Sequence, residues 1–108
     1  METFPDDATG DALRRIQQEG SDFTKPMEMD FFVAVPSEES GIQVALQAKK
    51  LGFETSVKKD GETEDWTCYC TISLIVNYSE VVRIEEELSF IAQPYGGYID
   101  GFGTFGNV

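Results

Sequence analysis

Two cysteines stand two apart in the run Trp66-Thr-Cys68-Tyr-Cys70-Thr-Ile72, and they are the residues best suited to covalent or metal chemistry. On a strand that spacing puts both side chains on one face with Cα atoms roughly 6.5 to 7 Å apart, at or past the ~6.8 Å limit of ordinary disulfide geometry. The chain holds no histidine and no second cysteine pair, so a zinc site has nothing to complete it. Neither cysteine has a lysine or arginine beside it to lower a thiol pKa, which makes both read as reduced packing residues. A serine or threonine nucleophile would lack the imidazole that usually activates it. Four glycines, Gly96, Gly97, Gly101 and Gly103, have the composition of a phosphate cradle. They follow a helical stretch instead of opening one, and so lack the amide donors and dipole of such a site. Asp30 and Asp100 would meet only if their strands align, and a carboxylate pair alone is weak ground for acid/base work. These residues predict a protein that is not an enzyme and uses no cofactor or metal.

The same glycines are interleaved with Tyr95, Tyr98, Phe102 and Phe105. A disordered tail is poor in aromatic residues, so this stretch is expected to dock as a closing strand, with Asp100 before Gly101 as a turn or bulge residue. Twenty acidic residues against eight basic ones leave a formal charge of −12. Such a surface repels a phosphate backbone, which excludes direct nucleic-acid binding. It favours a basic protein partner, although the same charge also serves solubility. There is no apolar run of membrane-spanning length. The first residues, Met1-Glu-Thr-Phe-Pro-Asp-Asp, lack the regions of a secretory signal, so the expected location is cytoplasmic and no membrane partner is expected.

A chain of 108 residues has room for one domain, 1–108. Residues 6 to 19 place Ala8, Ala12, Leu13 and Ile16 at helical spacing, with Gly20 as the stop. Met27 to Val35 alternates as a strand, and Phe32 and Ala34 make its second half apolar on both faces, which predicts a central strand covered at that end. Ser37 caps a helix in which Ile42, Ala45, Leu46, Lys49 and Leu51 follow, closed by Gly52. Phe53, Thr55 and Val57 alternate with polar residues, and Asp60-Gly61 signals a hairpin into a strand with Trp66, Cys68, Cys70, Ile72 and Leu74 on one face. Asn77-Tyr-Ser-Glu80 offers capping side chains for a third helix whose Val81, Ile84, Leu88, Ile91 and Ala92 recur at intervals of three and four, with Glu85, Glu86 and Glu87 on its solvated side. Pro94 ends it.

The resulting order predicts an α+β, ferredoxin-like βαββαβ sandwich with an extra N-terminal helix and a four-stranded antiparallel sheet whose first and third strands are central. One sheet face, carrying Glu28, Asp30, Phe32 and Tyr69, is left for the extra helix or for a partner. Tyr69 is the aromatic on an otherwise polar face, so covering by that helix and recognition are both open. Asp100 either caps the Gly101 turn or makes a polar contact. Tyr98, Asp100 and Phe102 would flank a cleft for a small ligand, which is one alternative role; a homo-oligomer formed through the free face is another.

Asp6-Asp7, Gly10-Asp11-Ala12-Leu13-Arg14, Gly20-Ser21-Asp22, Phe32-Val33, Leu51-Gly52-Phe53-Glu54 and Tyr98-Ile99-Asp100-Gly101-Phe102-Gly103-Thr104 occur in an order that resembles the RraB family, regulators of ribonuclease E activity. The terminal aromatic, Asp-Gly-aromatic-Gly-Thr signature is its strongest element, with Phe102 standing where the family pattern has tryptophan. The resemblance implies a small α/β sandwich that inhibits an endoribonuclease by binding it, largely through a noncatalytic scaffold region. It carries no catalytic residues. Tyr69, Tyr98, Asp100 and Phe102 are the candidate contacts for such a partner.

Overall fold

The strand β1 (Met27–Val35) divides the molecule into two sides. Met27, Met29, Phe31, Val33 and Val35 are buried, while Glu28, Asp30, Phe32 and Ala34 are exposed or half-buried, because a strand sends alternate side chains to opposite faces. The computed structural model describes residues 4–62, 65–104 and 106; Phe105, one of the terminal aromatics, lies outside them. Around β1 stand the helices α1 (Ala8–Gln18), α2 (Glu38–Lys50) and α3 (Tyr78–Ala92) and the strands β2 (Glu54–Lys59), β3 (Trp66–Leu74) and β4 (Tyr98–Gly103). A 3-10 turn, Gln93–Tyr95, joins α3 to β4.

Each helix starts where a short polar side chain can take up a free backbone amide. Asp7 accepts from the Gly10 amide, Ser37 from that of Ser40, and Asn77 from that of Glu80. The β2–β3 hairpin closes through the Asp60 amide donating to the Asp65 carbonyl at 2.9 Å, with the Glu62 amide donating to Asp60 Oδ1 at 2.8 Å.

All strand pairs are antiparallel, in the order β2-β3-β1-β4, which puts the first and third strands in the middle as their apolar content requires. β1 and β3 pair along their whole length, from Met27 opposite Leu74 to Val35 opposite Trp66. The fold is therefore α+β with an open antiparallel sheet. Helices α2 and α3 pack against each other and against one face of it. Between these layers lies the core, centred on Phe31, Met29, Val33, Leu88 and Val44, all fully buried. Cys68 and Cys70 are buried there with free thiols, Sγ to Sγ 3.8 Å. The hydrogen bond shared with Cys68, together with burial, holds the Cys70 thiol protonated far above the ordinary range.

Two placements differ from what hydrophobicity suggests. The core face of α2 is made of Gly41, Val44, Ala45 and Ala48, while Ile42 and Leu46 are 46% and 48% exposed. Small residues let the helix lie close on the sheet: a Cβ at position 41 would come within 2.7 Å of Val57 Cγ1. The second difference is α1, which packs on α3. Leu13 is buried there, Thr9 Oγ1 donates to Glu85 Oε1 at 2.9 Å, and the Tyr78 hydroxyl donates to the Asp7 carboxylate. No helix among the described residues is long and apolar enough to cross a membrane.

Because α1 covers it, Glu85 is half-buried and not on the solvated side of α3. Burial raises its carboxyl above the usual range, and the nearby Asp7 charge adds to this while the Thr9 bond opposes it. A carboxyl whose folded pKa exceeds its unfolded one weakens the fold as pH climbs through that interval, since the unfolded chain gives up the proton first. Glu85→Gln keeps an oxygen for Thr9 and removes the charge. Its melting temperature should exceed that of wild type at pH 7, with the gain fading below about pH 4, where the wild-type carboxyl is also neutral. Thermal melts at the two pH values check this, and a gain that persists in acid would place its cause elsewhere.

Candidate protein-binding face

Opposite the helices, the second face of the sheet carries no helix among the described residues, so the second half of β1, expected to be covered there, leaves Phe32 and Ala34 only half-buried. Its middle is aromatic: Phe32 on β1 and Tyr69 on β3 are direct cross-strand partners whose rings meet edge to face, centroids 5.5 Å apart at 78°. Such a pair is favourable beyond the area it buries. Ser56 and Lys58 of β2 stand on the same side, and Lys58 Nζ lies 5.8 Å from the centre of the Tyr69 ring.

β4 completes the face in a way that explains its composition. Tyr98 pairs with Ala34, Gly101 with Phe32 and Gly103 with Asp30, so these three share the open side. The Phe32 ring lies across the strand, and a Cβ on Gly103 would stand 3.4 Å from Phe32 Cζ. At Gly101 the backbone has φ 143°, which a side chain would strain. Between Ile99, opposite Val33, and Gly101, opposite Phe32, the register skips one residue, and that residue is Asp100. This is a β-bulge, the device that re-aims a side chain at a sheet edge. Thr104 Oγ1 then ties the strand end to the Glu28 carbonyl at 2.5 Å.

The four residues singled out from sequence are thereby sorted. Tyr98, 61% exposed, and Asp100, also exposed, line one cleft with Trp66 and the hairpin residues Asp60 and Asp65. Tyr69 lies further along the same face. Phe102 points the other way and packs on Phe31, ring centroids 5.8 Å apart, where it completes the core. The cleft has a volume of about 240 Å³, below the ~300 Å³ at which small-ligand pockets usually begin. Asp30 and Asp100 do not meet, since Asp30 is opposite Gly103 and accepts from Thr71 Oγ1 at 2.5 Å.

Asp100 does not cap its turn: among the described residues its carboxylate has no hydrogen bond or ion pair. Glu28 and Glu54, at the far end of the same face, have no side-chain partner among the described residues either. On α3, by contrast, Arg83 bridges Glu80 and Glu87 at 2.8 and 2.9 Å. The open face thus offers uncompensated carboxylates around an aromatic centre. Sequence reasoning missed Lys58 and the two hairpin aspartates. Their only signal was the Asp60-Gly61 turn, which fixes where the hairpin tip stands.

Compared with protein-family models, the chain matches the family described as Regulator of ribonuclease activity B, RraB, over residues 6–104. Comparison with curated proteins gave no significant match. The matched stretch runs from the capping turn of α1 to the threonine that pins β4, so it takes in every helix and strand described above. Its members are regulators rather than catalysts, and regulation of a ribonuclease requires that enzyme as a protein partner. This chain belongs to the RraB family, regulators of ribonuclease activity.

Proposed function

We propose that this protein binds an endoribonuclease of the ribonuclease E type and lowers or redirects its activity, so changing RNA processing and decay. The observation that carries the reading is the family match across residues 6–104. The formal charge of −12 supports it, since enzymes that handle RNA carry basic segments to which such a surface is attracted. Tyr69, Tyr98 and Asp100 are the proposed contacts on the open sheet face. Phe102 supports them from beneath β4. The protein acts in the cytoplasm, by occupying a surface of the enzyme and not by touching RNA.

Binding to a purified endoribonuclease of this type tests the proposal, with affinity measured at about 0.05 and 0.5 M salt, where screening lengths differ about threefold. The expected result is a complex at low salt that weakens at high salt, together with slower or altered cleavage of a structured RNA. No complex at either salt concentration, or cleavage unchanged at saturating protein, counts against it.

A further inference from the structure

We infer that the open sheet face is built to hold an extended arginine-rich segment, with guanidinium groups stacked on the Tyr69 and Tyr98 rings and paired with the carboxylates at either end. This rests on the function proposed above and adds the chemistry of the contact. Four-stranded sheets that bind RNA stack bases on aromatic residues of their two central strands. Here Phe32 and Tyr69 hold that placement on β1 and β3. The charge around them is reversed, however: among the described residues, Glu28, Asp30, Glu54 and Asp100 on this side face one cation of the strands on the same side, Lys58. A phosphate backbone is repelled by such a face. What satisfies both the rings and the carboxylates is a planar cation, and guanidinium stacks on aromatic faces and pairs with carboxylates in a two-pronged bond. Lys58, 5.8 Å from the centre of the Tyr69 ring, already shows a cation seated there.

Dimensions agree with an extended occupant. From Glu28 to Ala34, the β1 partner of Tyr98, are six steps along the strand, about 20 Å at the usual rise, the reach of a similar length of extended chain. RNA is then not a ligand of the face but a rival for its ligand, because the arginine-rich segments that bind RNA are those this face would sequester.

The test uses the whole protein and two fluorescein-labelled twelve-residue peptides of equal charge, one alternating arginine with glycine and the other lysine with glycine. Wild type should bind the arginine peptide about fivefold or more tightly than the lysine peptide, since only guanidinium combines stacking with paired bonding. Tyr69→Leu/Tyr98→Ala leaves the charge unchanged and should weaken arginine-peptide binding about tenfold, abolishing the preference. Phe90→Ser, 77% exposed on the outer side of α3, should change nothing. Tyr98→Ala alone, in an exposed position, repeats the test should the double variant melt early. Oligouridylate should displace the peptide without binding the protein.

Equal affinity for the two peptides, an unchanged affinity in both tyrosine variants, or oligouridylate bound by the protein itself would overturn the inference. The endoribonuclease is assayed in parallel with the same variants. Regulation retained by a protein without arginine preference would leave the proposed function standing and remove this recognition mode. An arginine preference lost with the tyrosines, in a protein that does not affect the enzyme, would support the face and remove the proposed function.

Discussion

Phe31→Ala should destabilise the protein by about 3 to 5 kcal/mol, whereas Phe32→Ala, one residue along, should cost about 1 to 2 kcal/mol. Phe31 is fully buried at the centre of the core, between Phe53 at 6.4 Å and Phe102 at 5.8 Å between ring centres. Its removal leaves a void that two rings and the fully buried Met29 and Val33 beside it on β1 cannot collapse to fill, and the cost of such voids rises with their volume. Phe32 is half-buried, with the Tyr69 edge on one side and the glycines of β4 beneath, so its loss opens a face that water already reaches. A domain of this size loses roughly 4 to 8 °C of melting temperature per kcal/mol. Thermal and urea unfolding followed by circular dichroism will separate the two variants clearly. Equal losses would mean that both faces of β1 are covered, and the open face would not exist in the isolated protein.

The second large effect is on binding. Tyr98→Ala/Asp100→Lys should weaken association with the endoribonuclease by about 30-fold or more, in the range of an interface hot spot, while its melting temperature stays within a few degrees of wild type. Tyr98 is 61% exposed and the Asp100 carboxylate bonds to nothing among the described residues, so neither contributes much that unfolding would lose. Had Asp100 capped the Gly101 turn, as the sequence alone allowed, its replacement would have lowered stability by about 0.5 to 2 kcal/mol. Its lack of a partner turns the expectation round. Around it in the terminal signature Gly101, Phe102, Gly103 and Thr104 each have a conformational, packing or bonding duty, whereas the bulge lifts Asp100 out of the ladder with none. Affinity titrations beside thermal melts of the same samples check this prediction.

What could be read without coordinates follows from the physics of each element. β3 alternates along its length and β1 over its first half, and a period of two leaves one assignment of faces once a core exists; both strands fall where the pattern places them. The cap at Ser37, a capping run opening at Asn77 and a turn or bulge ahead of Gly101 were legible because each depends on local backbone chemistry. The packed face of α2 was not. There Gly41 and Ala48 carry the contact while Ile42 and Leu46 stay outside, and closeness of approach is invisible to a hydrophobic pattern. The position of α1 was equally hidden, because Leu13 needs an apolar surface and both α3 and the open face offer one. Thr9 and Asp7, bonded to Glu85 and Tyr78, resolve that choice, and such pairs 71 and 76 residues apart leave no periodic trace. Of the candidate site, Tyr69 was placed on the open side of the sheet by alternation, whereas which C-terminal aromatic joins it there was not legible, and the structure puts Tyr98 on that side. Phe102 went to the other because the bulge shifts the register by one residue.

The central claim is that this regulator works through the side of its sheet that bears no helices, and amide chemical-shift mapping tests it most directly. Isotope-labelled protein is titrated with the basic scaffold region of a ribonuclease E-type enzyme. The account predicts perturbations centred on Asp30, Phe32, Tyr69, Tyr98 and Asp100, shrinking as salt is added, with Leu46 and Phe90 on the helical side unmoved. Perturbations gathered on Ile42, Leu46 and Phe90, with the strand residues silent, would contradict it.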